Sequence, residues 1–293
     1  MNRRRRLRPR ALPILLCLSA AACRHAGEVV GLERPATPPL RIVAGSVFAA
    51  EVLFAIVPRE RIVGVHEFVA DPVYSLVADQ VAGLPQLGAS PEELLALRPD
   101  LVIVDAFTRP ETLAVLASVG VPVLCPPMPH DFDGIAANLR AIGRACHREA
   151  EAETLVGTMN AQLAAIRERG RELAAWRLCR SDGGLHTYGR GSLFDAMIGA
   201  VGATNLAAER GVGPFRKLSN EALLSWRPDA IVVPSSSPKD RLWLEQVPGL
   251  SLLPCQQRGH LVFVPGPALD TTSHHLVATA ARVQEQLLAW GRP

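Results

Sequence analysis
One phrase occurs twice in this chain, once in each half. Glu92–Asp105 reads EELLALRPDLVIVD, and Glu221–Pro234 reads EALLSWRPDAIVVP. In both, a Glu stands seven residues ahead of a Pro-Asp pair that runs into an apolar segment. A Glu at the start of a short helix is favoured by the helix dipole. The proline then ends that helix, and the next residues enter a strand. Helix-Pro-strand units recur in many α/β proteins, but the matched Glu offset points to a duplicated architecture.

The flanking sequence extends each copy. In the first half, RIVAG (Arg41–Gly45), RIVGV (Arg61–Val65), LVIVD (Leu101–Asp105) and VPVLC (Val121–Cys125) read as strands, with a Ser46-capped helix running through Ile56. In the second, the strands are WRLCRS (Trp176–Ser181), AIVVP (Ala230–Pro234) and LVFVP (Leu261–Pro265), closed by a helix over about Ser273–Leu288. Continuous apolar strands alternating with helices indicate parallel sheets covered on both faces.

Between them, no strand pattern appears from about Phe132 to Leu173. Ile135, Leu139 and Ile142 share one helical face, and Leu155, Met159, Leu163 and Ile166 share another. Gly143 and Cys146-His147 are the expected break. The second piece, about Glu149 to Leu173, would be ~37 Å long as an α-helix. The expected fold class is α/β: two Rossmann-like lobes, each with a mostly parallel sheet, joined by one long helix. The expected divisions are a signal peptide 1–22, a tether 23–39, an N-terminal lobe 40–130, a bridging segment 131–175 and a C-terminal lobe 176–293.

The N-terminus reads as an export signal. Arg3 to Arg6, Arg8 and Arg10 precede an apolar run from Ala11 to Ala22, too short to span a bilayer. Small residues then meet Cys23, the arrangement of a lipoprotein lipobox, although Ala20 stands where Leu is usual. The alternative is cleavage after Ala22 and a soluble product. Pro35, Pro38 and Pro39 mark the tether, and no later apolar run reaches transmembrane length. This start also accounts for the formal charge of +3, since the rest of the chain is slightly acidic. With aromatics at only 5%, the body is not expected to bind nucleic acid. Past the signal region stand Cys125, Cys146, Cys179 and Cys255, none in a CxxC pair. Two pairings respect the lobe division, Cys125–Cys146 and Cys179–Cys255; four free buried thiols are the alternative.

Taken in order, several segments resemble a known family. They are Arg41–Val65, SPEELLALRPDLVIVDAF (Ser90–Phe107), VGVPVLCPP (Val119–Pro127), YGRGSLFDAMIGAVGATNLAAE (Tyr188–Glu209) and LSNEALLSWRPDAIVV (Leu218–Val233). The chain resembles, over about residues 40–290, the periplasmic binding proteins that deliver cobalamin, ferric siderophores or haem to ABC importers. The resemblance implies capture between two lobes bridged by one rigid helix, not catalysis. It implies a monomer partnered by a permease and, through it, an ATPase. It also implies a location in the periplasm or cell envelope, where the Cys23 pattern, if it is a lipobox, would supply the anchor. By position it maps the permease-docking carboxylates onto Glu92 and Glu221, with Glu93 adjacent. No resident cofactor is expected.

Ligands of open α/β sheets bind beyond the carboxyl ends of the strands. The residues there include Ser46, Val47, Asp105, Met128, Ser235, Ser236, Ser237 and His274. Two chemistries compete. A large chelate would be held by the rings of Phe48, Phe68, Tyr74, Phe107, Tyr188 and Trp243 with His66, His130 and Asp270, and with Arg190 pairing an anionic group. Alternatively His66, His130, His186 and Asp270 would take zinc or manganese directly. A lone His after a strand is more often a surface or hydrogen-bonded residue, and that reading stays open for each. Haem would need an axial ligand such as His66 or Tyr188. The sequence offers no P-loop, no complete dinucleotide fingerprint, no GxSxG and no HExxH. An exported zinc hydrolase using His66, His130 and Asp270 is the enzyme alternative; a structural lipoprotein without a small ligand is a third class.

Overall fold
The computed structural model describes residues 35–88, 90–235 and 241–293. The signal region, Cys23, Ser236 and Ser237 lie outside the described residues. Eleven strands are described: β1 (Ile42–Ala44), β2 (Ile62–His66), β3 (Gln86–Leu87), β4 (Leu101–Ile103), β5 (Val123–Leu124), β6 (Arg177–Arg180), β7 (His186–Thr187), β8 (Thr204–Asn205), β9 (Arg216–Lys217), β10 (Ala230–Pro234) and β11 (Leu261–Val264). The first sheet has the order β3-β2-β1-β4-β5 and is parallel throughout. The second has the order β11-β10-β6-β8, also parallel. A short antiparallel pair, β7–β9, stands beside it.

The helices are α1 (Val47–Ile56), α2 (Pro91–Ala96), α3 (Pro110–Ser118), α4 (Phe132–Cys146), α5 (Glu149–Arg169), α6 (Leu193–Val201), α7 (Leu206–Glu209), α8 (Asn220–Trp226), α9 (Trp243–Gln246), α10 (Pro254–Gln257), α11 (Gly266–Asp270) and α12 (Leu276–Trp290). Ser46 caps α1 in an extended conformation, its hydroxyl accepting from the Ala49 amide at 3.2 Å. The strandless stretch is α4 and α5, broken at His147, whose φ of 54° is left-handed. The two helices pack closely at Gly143, where a Cβ would stand 2.5 Å from that of Ala152. At 21 residues α5 is about 31 Å long, and a 3₁₀ turn over Gly170–Leu173 follows it.

α5 touches α1 and α4 of the first half and α6 and α12 of the second. Its buried stripe of Val156, Met159, Leu163 and Ile166 belongs to one apolar cluster. That cluster also holds Ile42 and Ile62 of the first sheet and Leu178 and Val232 of the second. The two lobes therefore share a continuous core. Gln284, on α12, is fully buried and donates to the Ile166 carbonyl at 2.6 Å, tying the last helix to α5.

The repeated phrase builds the same device twice. Ser90 and Ser219 cap α2 and α8, and Glu92 and Glu221 both stand second in their helices. Arg98 and Arg227 both take a left-handed φ, 47° and 48°. The Asp after each proline then caps a neighbouring strand. Asp100 accepts from the amides of Leu40 and Arg41 at 2.7 and 2.8 Å, and Asp229 accepts from the Arg177 amide at 2.9 Å. Asp100→Ala and Asp229→Ala are each expected to cost about 1 kcal/mol. The double variant should lose roughly the sum, since the sites are independent. Urea midpoints of the three variants check this.

Cys125, Cys146, Cys179 and Cys255 are all free thiols, so neither expected pairing is formed. Burial pushes the Cys146 thiol up to about 12 and Cys255 up to about 11, and raises Cys179 strongly. Charge stays off these sulfurs because the apolar core cannot solvate a thiolate. Among the described residues no helix is long and apolar enough to cross a membrane.

Candidate ligand site between the lobes
The carboxyl ends of the strands in both sheets open onto three adjoining cavities. The largest has a volume of about 420 Å³ and takes His130 and Phe107 from the first lobe and Arg180, Tyr188 and Phe215 from the second. Asp270 to Thr272 line both this cavity and its neighbour, which reaches Phe48, Glu51 and Tyr74. A third part runs along Ser46, His66 and Phe68. Phe107 lines all three and is 78% exposed.

Most of the chelate-type candidates meet here. On the first lobe, Phe68 stacks on Tyr74 with centroids 4.8 Å apart, and His66 tilts against Phe68 at 4.9 Å. The His66 Nδ1 accepts from the Phe68 amide at 3.2 Å, which places its proton on Nε2. Phe68, Tyr74 and Phe107 are exposed rings, an unusual concentration of bare aromatic surface. On the second lobe, Tyr188 meets Phe215 edge-on at 5.3 Å. His130 crosses the cleft: its Nδ1 stands 3.1 Å from the Gly191 carbonyl, which can only accept. Gly189, in the same GRGS segment, is required because a Cβ would sit 2.2 Å from the Val212 carbonyl oxygen.

Other candidates fall elsewhere. Arg190 is exposed and lines none of the three cavities; the guanidinium in the cleft belongs to Arg180. Arg180 is 4% exposed, donates from Nη2 to Asp270 at 2.5 Å and lies 4.1 Å over the Tyr188 ring. Its Nε is buried without a partner. Burial raises the Tyr188 hydroxyl, and nearby Arg180 opposes that shift. Trp243 is buried in the second lobe's own core, not in the cleft.

The four residues of the metal reading do not stand together in the structure. His186 pairs with Asp182 at 3.1 Å and stacks on Phe215 of the cavity wall, lining none of the three cavities itself. Asp270 is held by Arg180, and His66 and His130 line different cavities. Among the described residues no three His, Cys, Asp or Glu side chains are grouped to hold a metal ion. The zinc-hydrolase donors His66, His130 and Asp270 are likewise not grouped. His274 lines none of the three cavities, and burial pushes its imidazole down to about 4. Ser46 lines the third cavity and Ser235 is buried.

Three contributors were absent from the sequence-based set. Arg180 ends a strand read as WRLCRS, so its place beyond the sheet was visible. Glu51 is the lone charge in the helix VFAAEVLFAI, a signal of a buried polar role. Phe215 follows GVGP and carries no pattern that marks it.

Glu92 and Glu221 are both exposed. A helix that precedes a parallel strand runs antiparallel to it, so the N-termini of α2 and α8 lie toward the carboxyl ends of the strands, at the cleft's end of the molecule. Hydrogen bonds from its own amide and the Ser219 hydroxyl lower the Glu221 carboxyl.

Known proteins are similar to this chain. A cobalamin-binding protein of Halobacterium salinarum is 27% identical over 256 residues, 85% of this chain and 68% of that one. YvrC of Bacillus subtilis, named an uncharacterized ABC transporter substrate-binding lipoprotein, is 24% identical over 203 residues, 66% of this chain and 63% of its own. Among solved structures, the apo periplasmic haem-binding protein RhuT of Roseiflexus sp. RS-1 matches with a TM-score of 0.73 and 26% identity, over 84% of this chain and 98% of that one. The periplasmic binding protein family model matches residues 42–268, and with two parallel-sheet lobes on one spanning helix the chain belongs to that family.

Proposed function
We propose that this protein is the exported solute-capture component of an ABC importer and that it binds a large metal chelate in the cleft. The chelate class is cobalamin, haem or a ferric siderophore. One observation carries the reading: the exposed rings Phe68, Tyr74 and Phe107 of the first lobe, and Phe215 with the half-buried Tyr188 of the second, line three adjoining cavities that meet at Phe107. Rings leave few groups to satisfy and cover a large ligand at low entropic cost. A bare ion would instead need a cluster of donors, and a small oxyanion would need unpaired cations. The buried guanidinium of the cleft, Arg180, is already neutralised by Asp270, and the other cavity-lining arginine, Arg109, is exposed at the rim of the third cavity. Glu92 and Glu221 are read as the two contacts to permease cations, and Cys23 as the membrane anchor.

Titration of the purified protein with cyanocobalamin, haemin, ferrioxamine and molybdate tests the reading. One of the three chelates is expected to bind with Kd of about 1 μM or tighter, roughly −8 kcal/mol. Phe107→Ala should then weaken it about tenfold, as loss of a central aromatic contact does. Binding of molybdate alone, or of free zinc alone, overturns the chelate assignment.

A further inference from the structure
A buried carboxylate joins the two lobes at the floor of the cleft. Glu51 lies in α1 among the buried residues Phe48, Ala50, Val52 and Leu53, and is itself 2% exposed. A carboxylate in such a place is tolerated only where hydrogen bonds replace its water. Its Oε2 accepts from the hydroxyls of Thr271 and Ser273, both at 2.6 Å, the short distance of charge-assisted bonds. Those donors come from the other lobe, on the turn between α11 and α12. The turn is itself ordered by them. Thr271 Oγ1 accepts from the Ser273 amide, and Ser273 Oγ accepts from the His275 amide.

We propose that Glu51 is a positioning residue: it clasps the α11–α12 turn to the first lobe, fixes the separation of the lobes, and so holds Asp270 and Arg180 in register with the aromatic wall. Thr271 is covalently next to Asp270, which grips Arg180, which covers Tyr188. Phe48, one turn before Glu51, lines the same cavity as Asp270 and Thr271. A ligand that spans the cleft touches both ends of this chain of contacts. The clasp sits beside that path and holds it. This last step rests on the cleft being the capture site; the clasp itself does not.

Nitroxide labels at Glu111→Cys and Arg258→Cys, both exposed and on opposite lobes, in a Cys125→Ser background, read the lobe separation by pulsed EPR without any ligand. Glu51→Ala is expected to broaden the distance distribution, roughly doubling its width. Thr271→Val with Ser273→Ala should broaden it similarly, and combining all three should add nothing further, because one interaction is lost in each case. Glu51→Gln, whose carbonyl still accepts, should restore the narrow distribution. Should Glu51→Ala not fold, Ser273→Ala alone removes one donor and is expected to give a smaller broadening. A folded Glu51→Ala protein with an unchanged distribution, or additive effects in the triple variant, overturns the proposal. Cyanocobalamin release rates, where the parent protein binds it, should rise about tenfold in Glu51→Ala and return in Glu51→Gln. A parent that binds no chelate refutes the ligand reading and leaves the distance result to decide the clasp.

Discussion
Uptake in cells is expected to fall to background when Glu92 and Glu221 are replaced together by alanine, while the purified double variant binds ligand as before. Both residues stand second in a Ser-capped helix, both are exposed, and both helices start at the cleft's end of the molecule. A receptor that hands its ligand to a membrane pore must dock by the face that holds the ligand. Two carboxylates, one on each lobe, would make a two-point contact whose geometry carries register as well as attraction. Each single variant should leave partial uptake, because one contact remains. Stability should fall by only a few tenths of a kcal/mol, the value of a helix-dipole interaction at an exposed site. Growth dependent on the transported ligand and equilibrium binding, measured side by side, decide the matter. Normal uptake by the double variant excludes the docking role.

The second large effect is expected at Asp270. Its partner Arg180 is buried, and one of the guanidinium nitrogens already lacks a hydrogen bond. Asp270→Ala leaves that charge without a counter-ion in a site that water reaches poorly. The Asp270 side chain is half exposed, so part of the interaction is already screened. A loss of about 2–3 kcal/mol is expected, toward the lower end for breaking a buried pair. Asp270→Asn keeps an acceptor and should lose about half as much. The guanidinium also loses its fixed place over Tyr188, so chelate affinity should drop more than tenfold in Asp270→Ala. Thermal melts and the titrations described above separate the two consequences. A wild-type melting curve for Asp270→Ala would show that Arg180 finds another partner.

Much of this fold was legible in the residues, and the reason is physical. Strands buried on both faces must be apolar runs, so IVA, IVGV, LVI and AIVVP announced themselves within a residue or two of their observed bounds. The long strandless stretch with its 3.6-residue periodicity gave the spanning helices, and the break at His147 fell where Gly143 and Cys146-His147 suggested. The two-residue strands β3, β7, β8 and β9 were not visible, because segments such as Gln86–Leu87 and Arg216–Lys217 are too short to carry a period.

The cleft was partly legible. Residues just past a strand are placed by the sheet itself, which is why Phe48, His66, Phe68, Phe107, His130, Tyr188 and Asp270 line these cavities. Tyr74 joins them across a loop, stacked on Phe68. The identity of the cleft arginine was missed. Arg180 ends its strand, which places it beyond the sheet, but only its depth beside Asp270 marks it out from Arg190 as the cleft guanidinium. Cross-lobe pairs such as Glu51 with Thr271 and Ser273 join residues far apart in the chain, and nothing local in either segment specifies the other.

The shared core has a consequence for how the molecule comes into being. A duplicated chain usually yields two beads, each able to fold as soon as it is made. Here the inner stripe of α5 waits for α6 and α12, and α12 is the last element before the end of the described chain. Until α6 and α12 are in place, that stripe of Val156, Met159, Leu163 and Ile166 has no cover on its second side. The first lobe's core is therefore complete only when helices of the second half, the last of them Leu276–Trp290, pack onto it.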